Sequence, residues 1–169
     1  NASNDDVNTL GKRIDYILKG EGEQVDGTVG GWTLSGKKPD ADMTGMALQA
    51  LAPYYKDETL YAKTGAKVSY ADFVKAVERG VLALNNMQLD NGGFGSFGTV
   101  NSESTVQVIV ALTALGFDPL ASSISLTSIG KTVSFVTAGG THDGVYSNNV
   151  IDALLTFWAP NSGSNVAVG

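Results

Sequence analysis

The sequence predicts an all-α fold built as about three helical hairpins. Apolar residues recur at the three-to-four-residue spacing of amphipathic helices through most of the chain. Strand-like signals are confined to short pieces such as 97–100 and 144–146. A unit of helix, glycine-rich turn bearing an aromatic, and very apolar helix also recurs along the chain.

The first helix is expected at about 6–19, where Val7, Leu10, Ile14, Ile17 and Leu18 make one stripe. The second, about 42–55, places Met43, Met46, Ala47, Ala50, Leu51 and Tyr54 on one side, with Pro53 near its boundary. The third, about 70–88, follows Ser69 with Asp72 in the reciprocal capping position, and Phe73, Val77, Val81, Leu84 and Met87 form its stripe. The fourth, about 102–115, starts from Ser102 as N-cap and stops at Gly116, with Pro119 beyond. Weaker patterns predict helices at 127–138 and 148–158, and the Asn-, Ser- and Gly-rich stretch 160–169 reads as a flexible tail. One domain over 1–159 results, with repeat units of about 6–56, 70–116 and 127–158.

Bulk composition narrows the function classes. A chain of 169 residues with 43% apolar content can bury a substantial core. The net charge of −6 disfavours a phosphate-backbone partner, which needs a basic face, so no nucleic-acid binding is expected. No apolar run approaches the roughly 20 residues that span a bilayer. There is no cysteine, which removes disulfides, thiolate nucleophiles and cysteine zinc sites.

The repeat aligns Gly30-Gly31-Trp32 and "ADMTGMALQAL" (41–51) with Gly92-Gly93-Phe94 and "NSESTVQVIVAL" (101–112). Thr44 falls on Thr105, Asp42 on Glu103, Ala50 on Ala111 and Leu51 on Leu112. A degraded third copy, 139–157, is expected to put Ala153 on Ala111 and Leu154 on Leu112. This decides how Gly93, Gly95 and Gly98 are read. Their spacing matches a dinucleotide fingerprint, but that fingerprint requires a preceding strand, and the preceding pattern here is the 70–88 helix. The glycines are instead expected to let the chain turn between helices.

"RGVLALNNMQLDNGGF" (79–94) resembles the QW-type repeat of squalene and oxidosqualene cyclases and protein prenyltransferase β subunits. It keeps Arg79-Gly80, Gln88, Gly92 and an aromatic, Phe94, in the tryptophan position; the first unit keeps Gln24, Gly30 and Trp32. "DMTGMALQALAPYY" (42–55) and "NSESTVQVIVALTALGFDP" (101–119) resemble secreted Gram-positive surface proteins carrying prenyltransferase/squalene-oxidase-type repeats. "DMTGMALQAL" is also similar to the α domain of the transcobalamin and intrinsic-factor carriers. The resemblance covers about 12–119 and implies an α/α toroid of alternating inner and outer helices, here partial or open. It implies an extracellular or cell-surface location, and an open edge covered by another copy or a neighbouring domain.

Catalytic groupings are sparse. Class II terpene cyclases use an acidic D-x-D-D stretch; Asp40-Ala41-Asp42-Met43 lacks its last acid, and Asp42 suits a helix N-cap equally well. His142 is the sole histidine, in a polar turn beside Asp143. "GEGEQ" (20–24) resembles a thioester motif, but Glu21 holds the cysteine position. No catalytic residue, metal or resident cofactor is therefore expected.

What remains is a binding surface. Trp32, Phe94, Phe97 and Tyr146 lie in or near comparable turns and, with Asp42, Glu103 and Asp143, are the expected ligand-binding residues. Aromatics beside a few polar groups suit a flat ligand or a sugar ring, although Trp32 and Phe94 also suit packing between helices. The expected function is a non-catalytic binding or structural module of a secreted or cell-surface bacterial protein. Its partner would be a glycan, a small molecule or another surface-protein domain. The alternatives are a small-molecule carrier, with cobalamin as the ligand the carrier resemblance implies, and a remnant of a terpene-cyclase-like enzyme.

Overall fold

Thr9 opens the first helix, α1 (Leu10–Lys19), its side chain accepting the Lys12 amide at 3.3 Å. In this computed structural model, which describes residues 9–23, 28–36, 38–96 and 99–158, the expected residues 6–8 of that helix lie outside the described set. A short antiparallel pair follows, β1 (Glu21–Glu23) with β2 (Val29–Trp32). Then come α2 (Ala41–Leu51), a 3₁₀ turn (Ala52–Tyr54) that accommodates Pro53, and α3 (Glu58–Lys63). The long α4 (Tyr70–Met87) starts at Ser69 and Asp72 as the capping pattern predicts. Next are β3 (Gly95–Ser96), β4 (Thr99–Val100) and α5 (Ser102–Ala114). The last third holds β5 (Ile124–Leu126), β6 (Lys131–Val133), β7 (Val136–His142), β8 (Val145–Asn149) and the short α6 (Val150–Leu155).

The fold is therefore mixed α/β, which corrects the all-α expectation and the α/α toroid with it. The described strands form four two-stranded antiparallel pairs: β1–β2, β3–β4, β5–β6 and β7–β8. The clearest reversal is at 127–138, expected as a helix. Ile124 and Leu126 in β5, Val133 in β6 and Phe135 just beyond it are buried at every second position, while Ser125 and Thr132 are exposed. That is the two-residue period of a strand, built from β-branched residues that pack well on a pleated surface. Residues 148–158 likewise divide, the first part pairing in β8 and only Val150–Leu155 forming helix.

Side chains of α4 hold the β5–β6 hairpin in place. The buried Glu78 accepts the Ser128 and Ile129 amides at 2.7 and 3.1 Å. Two turns on, Asn85 Nδ2 donates to the Ser134 carbonyl, and Gln88 Nε2 donates to the Phe135 carbonyl at 2.8 Å. Backbone groups of a hairpin that lack a neighbouring strand thus find partners on a helix.

The core lies between α2, α4 and α5. Leu48, Leu51, Phe73, Val77, Val81, Leu84, Val108 and Leu112 have no accessible surface. Gly45 allows α2 and α5 to approach, since a Cβ there would lie 3.1 Å from the Gln107 carbonyl oxygen. The short α3, absent from the sequence pattern, contributes Tyr61, which stacks on Phe73 with centroids 4.5 Å apart. No described helix is long and apolar enough to cross a membrane.

The repeat has a physical joint. Thr44 Oγ1 accepts the Trp32 amide at 2.9 Å, and Thr105 Oγ1 accepts the Phe94 amide at 3.0 Å. The Trp32 carbonyl accepts the Asp40 amide at 3.0 Å, and the Phe94 carbonyl accepts the Asn101 amide at 2.9 Å. Asp40 and Asn101 are the N-caps, each accepting an amide three residues ahead, so the expected caps Asp42 and Ser102 each lie inside the helix. Asn149 is the corresponding N-cap of α6. This register puts Ala153 on Thr44 and Thr105, which corrects the expected alignment of Ala153 with Ala111.

Candidate functional site

Where α4 ends, Gln88 turns back and donates to the Gly92 carbonyl at 2.8 Å as well as to Phe135. The loop 89–93 is closed by the Gly92 amide on the Leu89 carbonyl at 2.8 Å and the Leu89 amide on the Gly93 carbonyl at 3.0 Å. The β7–β8 hairpin clamps it from outside. Thr137 Oγ1 donates to the Asp90 carbonyl, and Ser147 Oγ donates to the Asn91 carbonyl at 2.7 Å. Both glycines at this contact are required by space: a Cβ on Gly92 would meet the Asn149 amide nitrogen at 2.3 Å, and one on Gly140 would meet the Asn91 nitrogen at 2.9 Å.

Between this loop, β4 and β7 lies a cleft of about 430 Å³ whose polar lining is Asp90, Asn91, Thr99, Thr141 and His142. Its volume falls in the range of small-ligand sites, about 300–1,000 Å³. Asn91 is 6% exposed, and its Oδ1 accepts the Gly93 amide at 3.1 Å. Its Nδ2 has no acceptor among the described residues. Buried amide donors are ordinarily satisfied, and Asn91 is one of the residues that line the cleft. His142 Nδ1 lies 3.1 Å from Thr156 Oγ1 and its ring packs 4.7 Å from that of Phe157. Asp90 and the two threonines are on the exposed side of the cleft. The set offers a carboxylate, an amide, two hydroxyls and an imidazole, which is a donor and acceptor array for a hydroxyl-rich ligand.

The expected ligand-binding residues are distributed differently. Phe94 has no accessible surface and packs on Phe135 with ring centroids 6.3 Å apart. Trp32 is 4% exposed, its indole N–H donating to the Ile17 carbonyl at 2.6 Å while its ring lies over Gly80. Both aromatics therefore pack between elements. Asp42 and Glu103 sit in the first turns of α2 and α5, and Asp40 caps α2, its carboxylate oxygen accepting the Met43 amide at 2.8 Å. A backbone hydrogen bond to its own amide, then the Ser102 hydroxyl, holds the Glu103 carboxyl below the usual range. Asp143 and Tyr146 share the β7–β8 hairpin; Tyr146 pairs with Thr141, and its hydroxyl donates to the Ala138 carbonyl at 3.0 Å. Phe97, the tail 160–169 and Gln24 lie outside the described residues.

Two local signals point to what the aromatic pattern misses. Asp143 and Gly144 both have positive φ, 49° and 81°, and form the two-residue turn for which Asp-Gly is a strong hairpin signature. Asn91-Gly92, directly after a helix ending in Gln88, marks the tight loop that builds the cleft. Elsewhere, the Arg79 guanidinium forks onto both oxygens of Glu21, so the glutamate in the would-be thioester position fastens β1 to α4. Comparison of the chain with protein-family models, curated proteins and solved structures finds no match.

Proposed function

We propose that the chain is a non-catalytic binding module of a secreted or cell-surface bacterial protein, and that its ligand is a glycan or a polar small molecule of similar size. Asn91, buried and with an Nδ2 that has no acceptor among the described residues, lines a cleft with Asp90, Thr99, Thr141 and His142, and this carries the reading. Sugar hydroxyls both donate and accept, so they match side chains that offer both roles. Several acidic side chains have structural work: Asp40 caps α2, Glu78 holds the Ser128 turn and Glu21 pairs with Arg79, while Asp90 and His142 line the cleft and are assigned to binding. The surface location rests on the resemblance of 42–55 and 101–119 to Gram-positive surface repeats.

Calorimetric titration with mono- and oligosaccharides, each mixture analysed for products afterwards, tests the proposal. Saturable binding with ligand recovered intact is the expected result. Conversion of the ligand, or no heat with any sugar and no shift of cleft resonances, overturns it.

A further inference from the structure

We infer that Thr156 is a positioning residue of the cleft: it holds His142 as the Nδ1–H tautomer, so that Nε2 serves as an acceptor for a ligand hydroxyl or N–H. This role rests on the binding reading above and fixes the direction of one of its hydrogen bonds. Strand register places the side chain. Gly140 pairs with Ser147 and His142 with Val145, so these four residues share one face of the β7–β8 hairpin. On that face Gly140 closes on the Asn91 nitrogen and Ser147 donates to the Asn91 carbonyl. The His142 side chain therefore lies on the side of β7 turned to the 89–93 loop, and His142 lines the cleft.

The hydrogen of Thr156 decides the tautomer. A threonine hydroxyl carries a single hydrogen, and Thr156 Oγ1 donates it to the Ala153 carbonyl at 2.7 Å, at the end of α6. Lone pairs are what that oxygen has left, so its 3.1 Å contact with His142 Nδ1 needs the hydrogen on the imidazole nitrogen. Thr156 is 6% exposed, and the Phe157 ring packs on the imidazole with centroids 4.7 Å apart, so hydroxyl and ring plane are both held. A neutral imidazole protonated at Nδ1 carries a lone pair at Nε2. Among the described residues Nε2 has no hydrogen bond. Asp143 Oδ2 lies 3.9 Å away, beyond hydrogen-bond reach, on a side chain that is 86% exposed and screened by water. A ligand hydroxyl can donate to Nε2, whereas an ether or carboxylate oxygen, which only accepts, cannot.

Long-range ¹H–¹⁵N correlation spectra of the single histidine report its tautomer directly, and Thr156→Val removes the hydroxyl at nearly constant shape. The Ala153 carbonyl retains the backbone amide of position 156 as a donor, and amide spectra verify the fold. At about pH 8.5 without ligand, the wild-type ring is expected as the Nδ1–H tautomer, with Thr156→Val moving it to Nε2–H and Thr156→Ser restoring it. With methyl glycosides of glucose, galactose and N-acetylglucosamine as probes, Thr156→Val is expected to weaken the tightest at least about tenfold, and Thr156→Ser to bind as wild type does. A wild-type ring protonated at Nε2, or a tautomer that Thr156→Val leaves unchanged, overturns the inference. Unchanged affinity in a Thr156→Val chain whose tautomer has switched overturns the role in binding. A second arm needs no variant: replacing each probe hydroxyl in turn by fluorine removes its donor. At one position this is expected to cost about tenfold in affinity together with the ligand-induced shift of Nε2, and retention of both at every position overturns the role. If no glycoside binds the wild-type chain, the binding reading falls and this role with it, which the ligand-free tautomer spectrum distinguishes from a wrong tautomer.

Discussion

The carboxylate of Glu78, buried in the middle of α4, accepts the backbone amide of Ser128 at 2.7 Å. It also accepts the Ile129 amide at 3.1 Å and the Tyr55 hydroxyl at 3.1 Å. One side chain thus joins α4, the turn after α2 and the β5–β6 hairpin. Glu78→Ala leaves buried donors without an acceptor and is expected to cost about 2–4 kcal/mol, with Glu78→Gln costing less because one acceptor oxygen survives. Urea unfolding of both variants checks the order, and loss of hydrogen-exchange protection at Ser128 and Ile129 identifies the element released.

Thr44 and Thr105 make the same contact in two units, so their replacement should have matching effects. Thr44→Val and Thr105→Val keep the shape but remove the acceptor of the Trp32 and Phe94 amides. Each is expected to lose about 1–3 kcal/mol of stability, and each Ser variant to recover most of it. Widely different costs at the two sites, measured by thermal or urea unfolding, would contradict a shared joint.

Glycine substitutions should divide by space. Gly92 has φ of 83° and no room for a Cβ against Asn149, whereas Gly130, with φ of 63°, has no atom within 4 Å of that position. Gly130→Ala is expected to cost about 1–2 kcal/mol from the left-handed backbone alone. Gly92→Ala adds the clash and should cost clearly more. Midpoints of denaturant unfolding for the two variants give the comparison.

Alkaline pH should weaken the fold through its tyrosines. Burial, and then the charge of Glu78, pushes the Tyr55 phenol well above its ordinary 10.0. Tyr61 and Tyr70 are also raised, first by burial and then by Asp15, and by Glu58 and Asp57, respectively. The unfolded chain releases these protons first as pH passes 10, so their contribution is complete below that pH and declines above it. Tyr55 alone sets a slope of up to about 1.4 kcal/mol per pH unit. Denaturant unfolding across this range, with tyrosinate absorbance recorded in parallel, should show falling stability and delayed ionisation, with a shallower slope in Tyr55→Phe.

The parts of the fold legible in the sequence are those where periodicity and caps agree. Phe73, Val77, Val81 and Leu84 run down one face of α4 from the Ser69–Asp72 start, and all four are buried. Short elements carry too few residues for a period to register, as with α3, marked only by its Asp57 cap. From Ile124 to Phe135 the same Val, Ile and Thr residues fit a weak helical stripe, but two-residue alternation and contacts from Glu78, Asn85 and Gln88 decide for strands. Those contacts join residues about fifty positions apart, which no local pattern records. The equivalence of Trp32 and Phe94 was legible, but not its meaning, because buried packing and ligand stacking select the same aromatic residues. The packing around Asn91 depends on Ser147 and Gly140, which arrive from a hairpin far along the chain and leave no mark in the local pattern.

The most direct test of the binding account compares wild-type chain with Asn91→Asp by ¹H–¹⁵N NMR during titration with the sugars that bind best. The variant keeps an oxygen that can accept the Gly93 amide and exchanges the Nδ2 donor for a carboxylate oxygen, and its spectrum without ligand checks that the loop is retained. The account predicts saturable shifts in the wild-type Asn91 side-chain amide and in the backbone of Thr99, Thr141 and His142. It predicts affinity reduced at least about tenfold in the folded variant, the loss of about one hydrogen bond's worth of binding energy. Unchanged affinity in Asn91→Asp, or saturable shifts confined to residues outside the cleft, would contradict it.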